Sequence, residues 1–395
     1  MHETIHSNFF KSFLNTRYLP EEDKYICKDA PPKYKLAVIG TGTMGQEHMR
    51  VTMMEGRATI HGIYDIVPSV MAVAAAGFEQ FFPGQKPVMY KSLEECLNDP
   101  AIDGLVIATP NYTHLEVVKE VVKSKKHILL EKPMATTVAD AAEIRDLANG
   151  YENVFKIGLQ YRHKPIYAEA ALEALERKAI GDIKTITILE HRLPFLDKVK
   201  QWNKFSKYSG GTLVEKCCHY FDLMNLFAGA KPVSVYATGG MAVNFKDFEY
   251  NNEKSDILDH AGVMVSYENG VRANFDLVMF APMFYEEVTL CGDKGRIRAY
   301  ENEDFLAMRR QATHFELLSG ENGVTKISQP CYPGLIQASG HFGSTYYSHK
   351  YFVDALDGKP ATTATADEGF WSVVVGAAAE ESVKTGKIIK ISDMI

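Results

Sequence analysis

From residue 34 onward the chain alternates between short apolar runs and longer stretches with helical spacing. The runs are YKLAVIG (34–40), TIHGIYD (59–65), DGLVIATP (103–110), HILLEKP (127–133) and VFKIGLQY (154–161). Between them lie TMGQEHMRVTMME, PSVMAVAAAGFEQ, THLEVVKEVVKSKK and TVADAAEIRDLAN, whose apolar residues recur every three or four positions. Runs of strand length separated by helical stretches predict parallel strands joined by crossover helices. This unit covers residues 34–160.

The pattern changes in the second half, residues 161–395. After a helix predicted at about 165–179, IKTITILEHRL alternates at every second residue, as a half-buried strand does. SYENGVRANFDL carries Asn269-Gly270 between two alternating runs, a strong hairpin signal, and TLCGDKGRIRAY reads as another hairpin. The expectation is an α+β domain with a large, mainly antiparallel open sheet, and a helix after Gly211 packed on it. Residues 344–357 and 367–386 are again helical and are expected to run back towards the first domain. Residues 1–33 are polar and irregular, ending in Ala30-Pro31-Pro32, and read as an arm used in subunit contacts.

Composition narrows the class. Of the 395 residues, 46% are hydrophobic and 24% charged, too apolar for a disordered chain. The formal net charge of −7, without a basic patch, argues against nucleic acid as a partner. No apolar run reaches the ~18 residues that cross a bilayer, and MHETIHSNFFKSF lacks the features of a signal peptide, so a cytoplasmic location without membrane attachment is expected. The six cysteines (Cys27, Cys96, Cys217, Cys218, Cys291, Cys331) include no C-x-x-C pair and read as reduced thiols.

The first strand runs directly into Gly40-Thr41-Gly42-Thr43-Met44-Gly45, a G-x-G-x-x-G at a helix opening. Gly40 permits a tight turn, Gly42 lets the backbone approach a pyrophosphate, and Gly45 allows close packing of helix on strand. Thr43 and Met44 begin the helix whose free N–H groups face the phosphates. Asp65, at the end of the second run, is placed to accept from the adenosine ribose hydroxyls. A carboxylate there repels a 2′-phosphate, and Ile66-Val67-Pro68 offers no arginine, so NAD is favoured over NADP. The fold class expected for this half is therefore a Rossmann-type α/β domain.

The fifth run ends in LLEKPMA. A parallel strand delivers its C-terminal end to the ligand crevice, so Lys132 is placed for acid–base work, and a desolvated lysine near a cationic ring loses proton affinity. Taken with GTGTMG, ATPNYTH, SGGTLVEKCCHYFDL and the closing FVDALDGKPATTATADEG, this segment resembles the glucose-fructose oxidoreductase, inositol dehydrogenase and rhizopine catabolism superfamily over about residues 34–390. The resemblance implies that Lys132 is the catalytic acid/base beside the nicotinamide, with Glu131 near the nicotinamide ribose and Pro133 shaping the strand end through a cis bond. It also implies that Thr109, Pro110, Asn111 and His114 line the cofactor, that Gln160 joins them, and that Tyr161 and Arg162 reach the substrate. A homodimer or homotetramer is implied as well.

SGGTLVEKCCHYFD (209–222) admits two readings. As a metal site it would use Cys217, Cys218 and His219. On a regular helix Glu215, Cys218, His219, Asp222 and Leu226 share a side, while Cys217 lies about 200° from Glu215. The metal reading thus loses a ligand, and no metal is expected. The other reading follows the resemblance, in which an acid and a histidine one turn apart hold substrate hydroxyls beside the lysine. That gives Glu215 and His219 catalytic and substrate-binding roles. The superfamily usually has aspartate at the acid position; glutamate followed by Lys216 is a departure. A buried histidine satisfied by a carboxylate would place both residues in the interior as well.

His191, Arg192, Lys198, Lys200, Lys204 and Lys207 cluster just before this helix. Arg192 and its neighbours suit an anionic sugar substituent such as a carboxylate, phosphate or sulfonate, or else form a solvated face among Glu190 and Asp197. Trp202 suits a sugar face or anchors its loop. Tyr346, with Tyr347 and His349, heads a late helix that could close the pocket. The expected function is NAD-dependent transfer of hydride from a secondary hydroxyl of a sugar, glycoside or cyclitol. A redox-neutral NAD-dependent glycosidase, acting by transient oxidation, elimination, water addition and re-reduction, is the alternative; a non-catalytic NAD and sugar sensor is a third.

Overall fold

The computed structural model describes residues 31–194, 197–303, 311–321 and 323–395. All but the last three residues of the expected N-terminal arm lie outside this set, as does Cys27. Two compact units are present. Of the described residues, the first comprises those up to Glu131 together with Asp146–Gln160 and Gly334–Ala366; the second comprises those in Lys132–Arg145, Tyr161–Pro333 and Asp367–Ile395.

The first unit is built on six parallel strands: β1 (Tyr34–Ile39), β2 (Ala58–Tyr64), β3 (Val88–Met89), β4 (Gly104–Ile107), β5 (His127–Glu131) and β6 (Phe155–Gly158). Their order is β3-β2-β1-β4-β5-β6, so the direction of winding reverses between β1 and β4. Strands covered on both faces read as continuous apolar runs, and Leu36–Ile39, Leu105–Ile107 and Ile128–Leu130 are all fully or almost fully buried. The helix Thr43–Glu55 returns the chain from β1 to β2, and Pro68–Phe81 follows β2, with proline at its first position. A late helix, Ser344–Leu356, also belongs to this unit.

In the second unit a nine-stranded sheet runs in the order β16-β15-β14-β13-β7-β12-β11-β8-β17. These strands are β7 (Ile183–His191), β8 (Pro232–Gly240), β11 (His260–Tyr267), β12 (Arg272–Val278), β13 (Phe284–Gly292), β14 (Gly295–Glu303), β15 (Gln311–Ser319), β16 (Val324–Ser328) and β17 (Ile389–Lys390), while β9 (Glu249–Tyr250) and β10 (Glu253–Lys254) pair separately. All neighbours are antiparallel except β12 and β7. The turn after β11 has Gly270 at φ 87°, in the left-handed region that the Asn-Gly pair predicts. On β7, Ile186, Ile188 and Glu190 point inward, so the strand period carries a carboxylate into the interior. Glu190 is opposite Glu286 of β13, and Glu286 is opposite Glu301 of β14. A row of three buried carboxylates thus crosses the sheet.

Like charges directly opposite one another repel, and the row is stable only with cations above it. Lys164 donates to Glu286 at 2.7 Å and to Glu301 at 2.5 Å, and Tyr220 donates to Glu286 at 2.6 Å. The helix covering this region departs from expectation. In place of one helix from Thr212, there are two, Thr212–Glu215 and Cys218–Ala228. Cys217 N–H bonds back five residues to Thr212 at 3.3 Å, which widens the turn, and the regular 100° spacing does not carry through Lys216 and Cys217. Gly211, at φ 93°, occupies the cap of the first helix.

The three motif glycines differ in what they allow. A Cβ on Gly45 would sit 2.0 Å from the Gly40 carbonyl oxygen, whereas one on Gly42 would meet nothing within 4 Å. Gly45→Ala is expected to lose about 1–3 kcal/mol of stability in urea denaturation, and Gly42→Ala less than about 0.5 kcal/mol.

Candidate functional site

In the first unit, the loop at the winding reversal has the shape of a phosphate cradle. Gly40 takes φ 88°, and a Cβ there would lie 2.7 Å from Ala108 of the neighbouring strand end. Over Gly42 the space is open, and the helix Thr43–Glu55 has no side-chain cap, so the N–H groups of its first turn, around Thr43 and Met44, are presented outward. Asp65 follows β2; Oδ2 accepts from Thr41 N–H at 2.8 Å and Oδ1 from Val67 N–H at 2.9 Å. These bonds fix its orientation and leave lone pairs for further donors. The adjacent Ile66 is exposed, and Val67 and Pro68, which follow it, carry no charge.

Beyond β4, Thr109 and Pro110 lead into a turn in which Thr113 Oγ1 donates to the Pro110 carbonyl at 2.7 Å. His114, expected to line the cofactor, is fully buried and bonds the Thr109 carbonyl at 3.1 Å; it braces the loop. Asn111 Nδ2 and both amide atoms of Gln160 are buried with no hydrogen-bond partner. Such groups are rare without a ligand, and their presence just after β4 and β6, in the sheet whose β1 leads into open glycine backbone, fits a dinucleotide. Glu131 ends β5 against Gly158, where a Cβ would approach its carboxylate to 2.8 Å, and its Oε1 lies 2.9 Å from His48 Nε2. Tyr346 belongs to this unit and is buried, its ring centroid 5.3 Å from that of Tyr347.

The second unit collects most of the expected chemistry around Glu215. Lys132, whose peptide bond to Pro133 is cis, donates to the Glu215 carbonyl at 3.0 Å and lies 3.6 Å from its Oε1. Burial by itself raises the Glu215 carboxyl, but Lys132, Lys198, Lys216 and Arg192 outweigh it and hold the group below its ordinary value. His219 stacks on Tyr161, with ring centroids 3.9 Å apart and planes 7° off parallel. Lys216 donates to the Tyr161 hydroxyl at 2.8 Å and pairs with Glu190 at 3.0 Å.

The charge reading of the preceding segment changes accordingly. Glu190 is fully buried, not part of a solvated face, because the β7 alternation turns it inward. It binds both Lys216 and Arg192, the latter at 3.4 Å. Lys204 is buried too and pairs with Asp197, while Lys207 is exposed on Glu253. Trp202 is 7% exposed, which leaves little of its face for a sugar. Arg162, expected on substrate, holds Asp222 with two bonds of 2.6 and 2.5 Å and Glu368 at 2.8 Å. Both cysteines after Lys216 are fully buried, and burial pushes the thiols up, Cys218 to about 12. Neither is a thiolate at neutral pH.

Sequence reasoning missed Glu380. Its carboxylate accepts from Leu213 N–H at 2.9 Å and so supplies the cap that the helix Thr212–Glu215 lacks. The signal was weak, since Glu380 lies 167 positions away on the helix Ala366–Thr385.

Two family signatures match the chain, "Oxidoreductase family, NAD-binding Rossmann fold" over residues 34–159 and "Oxidoreductase family, C-terminal alpha/beta domain" over 172–391. A myo-inositol 2-dehydrogenase of Thermotoga maritima is 24% identical over 367 residues, covering 91% of this chain and 99% of that protein. Levoglucosan dehydrogenase, solved with NADH and levoglucosan, superimposes with a TM-score of 0.75 at 19% identity, over 91% of this chain and 99% of that one. The WlbA dehydrogenase of Bordetella pertussis, solved with NADH and UDP-GlcNAcA, gives 0.68 at 19% identity, over 91% and 98%.

Burial raises the Glu380 carboxyl from 4.5 to about 7. The folded state therefore binds this proton more tightly, and the stabilisation is present below the ordinary value and lost as pH rises through about 7. Between about pH 4.5 and 7 the wild type should lose up to roughly 3 kcal/mol relative to Glu380→Gln, read as urea midpoints; parallel pH profiles would contradict this.

Proposed function

Because the chain belongs to the glucose-fructose oxidoreductase, inositol dehydrogenase and rhizopine catabolism family of NAD-binding oxidoreductases, we propose that it oxidises a secondary hydroxyl of an anionic sugar, glycoside or cyclitol. The observation that carries this reading is the placement of Lys132 against Glu215 within a group of cations. In the proposed reaction Lys132 takes the hydroxyl proton, and Glu215, 3.6 Å from its nitrogen, orients the lysine and stabilises the ammonium that forms. His219, held flat by Tyr161, donates to or accepts from a neighbouring hydroxyl. NAD supplies the hydride acceptor at nicotinamide C4.

Charge supports the anionic class. Lys132, Lys198, Lys216 and Arg192 all act on Glu215, and Lys216 and Arg192 act on Glu190 as well. A sugar carrying a carboxylate, phosphate or sulfonate suits this gathering of cations. Lys216 is better explained as the counter-ion of Glu190.

A second reading is a redox-neutral glycosidase. It draws on the same pair: once the hydroxyl is a carbonyl, the adjacent C–H is acidic, and Glu215 beside Lys132 offers a second base for its removal. Elimination of the aglycone, water addition and re-reduction would then leave NAD unchanged overall.

Lys132→Met should bind NAD with affinity within about twofold of the wild type and lose at least ~100-fold in turnover across a panel of anionic and neutral sugars, cyclitols and glycosides. Turnover near the wild-type value would falsify the assignment. Free sugar released without NADH selects the glycosidase reading over the dehydrogenase.

A further inference from the structure

The first unit holds a buried chain of side chains that the proposed reaction leaves unused. Thr52 Oγ1 lies 3.1 Å from Nδ1 of His349, whose Nε2 lies 2.7 Å from Nδ1 of His48. Nε2 of His48 lies 2.9 Å from Oε1 of Glu131. None of the four residues is more than 4% exposed. His48 and Thr52 stand one turn apart on the helix Thr43–Glu55, His349 comes from Ser344–Leu356, and Glu131 closes β5.

Each of the three gaps in this chain needs one proton, and two arrangements supply them. In the first, the Thr52 hydroxyl donates to His349 Nδ1, His349 Nε2–H to His48 Nδ1, and His48 Nε2–H to Glu131. Both imidazoles are then neutral and the carboxylate is ionised. In the second, the Thr52 hydroxyl turns to the His48 carbonyl, 2.8 Å away. His349 Nδ1–H now donates to Thr52, His48 Nδ1–H donates to His349 Nε2, and one added proton lies between His48 Nε2 and Glu131. That proton cancels the charge of Glu131. The two arrangements interconvert by uptake or release of one proton, proton shifts along the chain and one hydroxyl rotation, without moving a ring.

Burial, with His48 beside it, holds His349 well below the ordinary imidazole value, so it is neutral in both arrangements and differs only in tautomer. Among the described residues Glu47 also bears on the chain, attracting His48 while paired with His341 at 2.8 Å, and Lys132 follows Glu131 in the sequence. We propose that His48 and His349 are positioning residues forming a proton relay that ends on Glu131, and that the relay sets the charge Glu131 carries when NAD binds. The second clause rests on the reading above, with the nicotinamide end of NAD at Glu131. NAD carries a ring cation that NADH lacks, so NAD favours the ionised arrangement and its binding releases the added proton to solvent.

Two measurements on the full chain test this. In 15N-histidine spectra of the protein without ligand, His349, identified through His349→Asn, should change tautomer without changing charge as pH is varied over the range in which the protein stays folded. The change should vanish in Glu131→Gln, whose thermal midpoint serves as the folding control. A single His349 tautomer throughout, or a switch that persists in Glu131→Gln, overturns the relay. Calorimetric titration with NAD in phosphate and in Tris should then show net proton release, smaller with NADH and lost in His48→Asn and Glu131→Gln. Equal heats in the two buffers for the wild type overturn the link to NAD. Failure of the wild type to bind NAD at all overturns the placement of the cofactor, while the spectra still decide the relay.

Discussion

Glu215 is buried, and its negative charge persists there because cations surround it. Removing a carboxylate from water costs several kcal/mol, so an unaccompanied glutamate at this position would be neutral or the fold would yield. Lys132, Lys198, Lys216 and Arg192 supply the compensation, and they come from three separate segments of the sequence. The placement of the lysine after β5, the break in the helix after Glu215 and the inward turn of β7 are all tied to this one charge.

The break follows from the same requirement. A regular helix through residues 212–226 would keep the Glu215 carbonyl within the helical ladder. The widened turn at Cys217 accompanies a carbonyl that accepts the Lys132 ammonium at 3.0 Å and the Cys218 thiol at 3.5 Å. Lys216 then lies over Tyr161, 4.7 Å from the ring centroid, and on Glu190, the first member of the carboxylate row crossing the sheet. Lys164 holds the other two members. Site and sheet are thus joined electrostatically within the second unit, and the side chain that looked anomalous in the sequence is the join.

What was legible in the sequence was local. The alternation of runs and helices, the three glycines followed by Asp65, and the Asn-Gly turn each arise from neighbours within a few residues, and the strand order and the β11–β12 hairpin follow them. Glu215 and His219 were correctly expected in the interior. The pairs that define the environment of the site are not local. Lys216 meets Glu190 from 26 positions away, and His48 meets His349 from 301. No periodicity reports such pairs, and a single glutamate in a segment rich in cations reads as surface until the strand period assigns its face. The helix break was hidden for a related reason, since 210–222 has no proline or glycine after Gly211 to mark it.

The central claim is that Lys132 and Glu215 serve a hydroxyl whose hydrogen leaves as hydride. It is tested most directly by supplying sugars, glycosides and cyclitols deuterated at the carbinol carbon and following the nicotinamide by mass spectrometry during turnover. The account predicts that deuterium passes to the cofactor with at least one anionic member of the panel, whether or not NADH accumulates. Ligands that stabilise the protein against heat but never transfer deuterium would contradict it.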